Sequence, residues 1–166
     1  RLAIINQLAS HYAYTNVLRA QQLLTEQFEL LQAHEIADFT FRFYLNQVVV
    51  YNQLYDFQAA AETAQQGIAY LEEAGSIKQL AELYIEYSGV CSNLGETENA
   101  ENYLRKASKV LKKFPDQQLL SRIVCRRGYM QLHAGNLSIA KEHFLTATSM
   151  LNNQTQQLEL KDQYFL

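Results

Sequence analysis

Arg122 and Arg126 stand four residues apart, and Glu82 and Glu86 repeat that spacing forty residues earlier. On a helix such pairs share one face. Two guanidinium groups and two carboxylates on neighbouring helices would form ion pairs, a common and individually weak arrangement when exposed. Other chemistry-bearing groups are sparse. Cys91 and Cys125 form no CxxC and no disulfide framework, so they read as two buried, reduced thiols. The four histidines lack metal-ligand spacing; His133 and His143 lie ten apart with no cysteine or acid to complete a set. No nucleophile elbow, phosphate-binding loop or dinucleotide fingerprint occurs. An enzyme is therefore not expected, nor a cofactor or a metal.

Charge excludes further classes. The 166 residues carry a net charge of -3, which argues against a dedicated nucleic-acid binder. The basic stretch Arg105 to Lys113 reads as a solvated outer helix face. No apolar run approaches the roughly 20 residues of a membrane span. A cytoplasmic location is expected, with any targeting segment outside these residues. The chain opens on Arg1 and ends on "KDQYFL" in mid-pattern, as a piece of a longer protein would. The triplets at Asn136 and Asn153 match a glycosylation sequon that carries little information.

The elements that must position these groups are repeated. In a frame of forty residues starting at Arg1, Ala20, Ala60, Ala100 and Ala140 share a column, and so do Leu31, Leu71, Leu111 and Leu151. Asn16, Asp56, Glu96 and Asn136 form a polar column. Tyr44, Tyr84 and Tyr164 align, with Ile4 and Val124. Units of 1–40, 41–80, 81–120 and 121–160 follow, with the start of a fifth at 161–166. Each reads as two helices. Phe41, Tyr44, Leu45, Val48 and Tyr51 give the first one its apolar spacing. Gly95 and Gly135 close first helices in the left-handed conformation. The polar column begins the second helix, with Asp and Asn good caps and Glu a poorer one. "EEAGS" (Glu72 to Ser76) and "FPDQ" (Phe114 to Gln117) break the chain between units. The alanine column lets two antiparallel helices pass closely. The leucine column is expected to be buried between units.

The pattern resembles the tetratricopeptide repeat family, in a long variant like those of bacterial regulatory and signalling proteins. The resemblance rests on Tyr84, Gly95, Ala100 and Ala107 in one unit, and on Gly128, Gly135, Ala140, Phe144 and Ala147 in the next. The second unit departs with Tyr55 and Gly67 at the places of Gly95 and Ala107; the first has Thr15 and Gln27 there. The family's repeat is shorter than this one. The resemblance implies an all-α fold, an α-solenoid of antiparallel helix hairpins in a right-handed superhelix. It also implies a non-catalytic scaffold that binds a protein or peptide in a concave groove lined by the first helices. Self-assembly as a homodimer is the alternative.

By that geometry the groove lining includes Arg42, Leu45, Asn46, Val49, Asn52 and Gln53 in the second unit. In the third it includes Glu82, Ile85, Glu86, Gly89, Ser92 and Asn93. In the fourth it includes Arg122, Cys125, Arg126, Tyr129, Leu132 and His133. Some family members clamp a C-terminal carboxylate with basic residues at matching places. Here Leu45, Val49 and Glu86 interrupt that pattern. Asn46, Asn52 and Asn93 each offer a donor and an acceptor, a set that would grip the backbone of an extended peptide. No nucleic-acid or membrane partner is expected.

Overall fold

The structure, a computed structural model, describes residues 1–33 and 37–152. The start of a fifth unit, with Tyr164, and the sequon at Asn153 lie outside them. The described residues form eight α-helices and no strand. The chain divides into two compact units, Arg1–Gln79 and Leu80–Leu166.

In the first unit α1 (Leu2–Thr15) packs on α2 (Val17–Ala33), both pack on α3 (Ala37–Gln53), and α3 packs on α4 (Phe57–Glu73). Ile5, Ala9, Leu23, Leu24, Phe43 and Val50 build its core. The second unit holds α5 (Ile77–Asn93) from Leu80 onward, with α6 (Thr97–Leu111), α7 (Gln117–His133) and α8 (Leu137–Asn152). There α6 packs on α7 and α7 on α8. Tyr103 of α6 meets Tyr84 and Tyr87 of α5, with ring centroids 5.7 and 4.5 Å apart. Leu83, Ile85, Val90, Leu104 and Ile123 are buried.

The forty-residue period sets the helix starts. Helices α3, α5 and α7 begin at 37, 77 and 117, and α4, α6 and α8 at 57, 97 and 137. Each of α3, α5 and α7 thus begins four residues before the frame origin read from the sequence, whereas α1 begins at Leu2. In those three the opening turn precedes the strongly apolar residues that set that frame. For α7 the start is fixed by Asp116, whose Oδ1 accepts from Leu119 N at 3.0 Å.

Turn chemistry repeats with the same period. The N–H groups of Asp56, Glu96 and Asn136 donate to the carbonyls of Tyr51, Cys91 and Gln131 at 3.0, 2.8 and 2.9 Å. Each is the six-to-one bond that closes a helix through a left-handed residue. Gly95 and Gly135 supply that residue with φ of 80° and 79°. In the second repeat Tyr55 takes the same conformation, φ 61°, with 82% of its surface exposed. A left-handed L-residue costs roughly 1–2 kcal/mol, partly offset in glycine by about 0.5–1 kcal/mol of extra chain entropy. Tyr55→Gly is therefore expected to stabilise the first unit by about 0.5–1 kcal/mol. Urea denaturation reads this directly, and a lowered midpoint would show that the edge-on contact of Tyr55 with the Phe57 ring, centroids 6.0 Å apart, outweighs the strain.

Capping follows residue chemistry. Asp56 and Asn16 accept from the backbone N–H groups of Ala59 and Arg19, both at 3.1 Å. Glu96, one methylene longer than Asp, makes no side-chain cap; its carboxylate accepts from Asn99 instead. All four members of the alanine column are buried. In the leucine column Leu71 and Leu111 are buried, whereas Leu31 and Leu151 are half-buried. Gly128 permits another close approach: a Cβ there would lie 2.7 Å from the Phe144 ring of α8. Gln27 is the exception among the small residues. It stands where the other units carry Gly67, Ala107 and Ala147, fully buried, with Oε1 lacking a hydrogen-bond donor.

A candidate peptide-binding cleft on α5 and α7

The two arginines and two glutamates meet in the second unit. Arg122 donates to Glu82 at 3.3 Å and to Glu86, and Arg126 donates to the other oxygen of Glu86 at 2.7 Å. Side-chain exposure is only 5% for Glu86, 10% for Arg122 and 13–16% for Glu82 and Arg126. The spacing explains the contact. Each pair presents its charges one turn apart, and α5 and α7 lie side by side with matched turns. Positive and negative charges balance, so the cluster offers no net field to an anion. A carboxylate ligand would compete with Glu86, already bound on both oxygens.

Gly89 shapes the cleft. A Cβ there would lie 2.9 Å from the Arg126 guanidinium, so this side chain lies flat on the α5 backbone. Beyond it opens a cleft of about 220 Å³. Six of the expected groove residues line it: Gly89, Ser92, Asn93, Arg126, Tyr129 and His133. Ser88 and Met130 complete the wall. Sequence reasoning missed these two because it kept only the outward helical positions; the missing side chain at Gly89 opens the view to their flank. Tyr129 is half-buried and meets Phe144 edge-on at 5.1 Å. Burial raises its phenol above the usual range, the neighbouring Cys125 adds to this, and Arg126 opposes. His133 and Asn93 are exposed at the helix ends, and Leu132 beside them is 40% exposed.

Other expected groove residues lie elsewhere. Ile85 and Cys125 are buried in the second unit. Cys91, one of the two free thiols, is buried too; burial, reinforced by the Glu96 carboxylate, pushes its thiol up to about 11. In the first unit Leu45, Asn46 and Val49 are buried. Asn46 accepts from Ser10 Oγ at 2.9 Å and donates to Asn6 Oδ1 at 3.1 Å, tying α3 to α1. Its amide therefore serves the helix contact and is not presented to a peptide. Arg42 is exposed beside the Phe41 ring, 5.4 Å from its centroid, and Asn52 is half-buried. Among the described residues no cluster of His, Cys, Asp and Glu could hold a metal ion. No helix among them is long and apolar enough to cross a membrane.

Comparisons with family models, with curated proteins and with solved structures return no match for this chain.

Proposed function

We propose that this chain is a non-catalytic peptide-binding scaffold, an α-solenoid of tetratricopeptide-like hairpins from a regulatory or signalling protein, with its recognition cleft on α5 and α7. The observation that carries this reading is the convergence of six expected groove residues on one cleft. The lining suits a neutral stretch of extended peptide. Ser92, Asn93 and His133 supply hydrogen-bonding groups for main-chain amides, and Tyr129 with Met130 offers an apolar seat for one side chain. The compensated charge cluster beneath favours no charged terminus.

Affinity capture from native lysate, followed by titration of peptides from whatever is captured, tests the reading. The comparison is wild type against Asn93→Ala/His133→Ala and Tyr129→Ala. Loss of the same partners in both variants, with peptide affinity weakened about tenfold, a difference of about 1.4 kcal/mol, is expected. Identical capture by all three would move the weight to self-assembly. That second reading has its own observation: Leu137 and Leu145, eight residues apart on α8, are 65% and 60% exposed. Sedimentation of Leu137→Glu/Leu145→Glu as a monomer, where the wild type is a dimer, would support it.

A further inference from the structure

The first unit contains a second concavity of another character. It measures about 320 Å³ and opens among α2, α3 and α4. Small-molecule and side-chain sites begin at roughly this size, with mainly apolar or aromatic walls and a few convergent polar groups. Four aromatic rings line it: Phe28, Phe43, Tyr44 and Tyr51. Phe28 is 47% exposed, yet its ring stacks on buried Phe43 with centroids 5.6 Å apart and planes at 27°. An aromatic surface therefore runs from solvent into the core. Polar groups come from the amides of Gln21, Gln47 and Gln66; the Gln47 amide donates to the Tyr51 hydroxyl at 3.4 Å, and the Thr25 hydroxyl donates to the Gln21 carbonyl at 3.2 Å. No charged side chain lines the pocket. On α2, Glu26 beside Thr25 is paired with Arg1 at 2.6 Å.

We infer that this pocket binds a neutral aromatic ring with a hydrogen-bonding edge, of the indole or phenol kind. Ring faces prefer offset or edge-on contact with other rings, which the four aromatic walls supply. Each glutamine amide carries both a donor and an acceptor, so a ring N–H or O–H finds a partner without a formal charge. A charged ligand would lose its hydration without gaining a counter-charge. The ring can come from a free small molecule or from a tryptophan or tyrosine of a partner chain; the chemistry at the pocket is the same. This inference does not depend on the cleft of the second unit.

The chain lacks tryptophan, so indole emission excited where tyrosine does not absorb reports the ligand alone. The whole chain is titrated against indole, against N-acetyl-tryptophanamide and against indole-3-acetate. Saturable binding with a blue-shifted emission is expected for the two neutral probes, and about tenfold weaker binding for the anion. Saturation by indole assigns the pocket to the ring itself, and saturation by the amide alone assigns it to a ring on a peptide; both support the inference. Phe28→Ala and Gln47→Leu, checked for folding by circular dichroism, should each weaken the neutral probes about three- to tenfold. Absence of saturation with both neutral probes would overturn the inference, as would wild-type affinity in both variants.

Discussion

Glu86→Ala is expected to destabilise the second unit by about 3–5 kcal/mol, the cost of removing one partner from a buried ion pair. Glu86 is the hinge of the cluster, because Arg122 and Arg126 each donate to one of its oxygens. Its removal takes the carboxylate contact from Arg126 and leaves Arg122 with Glu82 at 3.3 Å. Two guanidinium groups would then lose the carboxylate that joins them in a site shielded from water. A urea midpoint followed by circular dichroism measures the loss. Salt should change it little, since buried pairs are poorly screened. By contrast, Arg1–Glu26, with side chains 70% and 38% exposed, should be salt-sensitive. Glu86→Met/Arg126→Met should recover much of the loss, because apolar groups of similar volume avoid the orphaned charge. An unchanged midpoint in Glu86→Ala would mean that the cluster is solvated and that the arginines are available to a ligand.

The same cluster decides which variants can probe recognition. Reversing Arg122 and Arg126 to glutamate would place four carboxylates together at sites that are nearly buried. The unit would lose stability before any partner was tested. Asn93, Tyr129 and His133 are better probes because they line the cleft and stand outside the arginine–glutamate cluster.

How legible this was depends on where each residue's partner lies. The turn glycines and the alanine column could be read in the sequence because their cause is local: a left-handed residue favours glycine, though Tyr55 also adopts it, and a close helix passage favours a methyl group. The arginine–glutamate pairing was also readable, since four-residue spacing on both helices matches the charges. Asn46 was not. By position it belongs to the outward face, and only its forty-residue offset from Asn6 points to a ladder between helices. That offset is the same one that joins Glu86 to Arg126, so polar pairs recurring at the repeat length are the signal to use. The pocket among α2, α3 and α4 was less visible still. Its aromatics read individually as core, and the exposure of Phe28 beside buried Phe43 depends on how three helices leave a gap.

Ala100→Leu is expected to cost about 1–3 kcal/mol by overpacking the contact between α5 and α6. Ala100 has no exposed surface, and neither Ala20 nor Ala60 does; Ala140 keeps only 2%. The position lies four residues past the turn that ends α5, in the opening turn of α6. One turn further, Leu104 is fully buried too, so burial alone does not demand a small residue on this helix. Close passage suits a methyl group, and extra methylenes must push side chains off their rotamers or the helices apart. Tyr103, wedged against Tyr84 and Tyr87, leaves little freedom for the second response. Ala60→Leu and Ala140→Leu serve as replicates in the same column and should show losses of the same order. Ala100→Ser, close to alanine in volume, should cost less than the leucine variant. An Ala100→Leu chain that melts with the wild type would show that the column records composition and not close packing, and the forty-residue register would lose its physical cause.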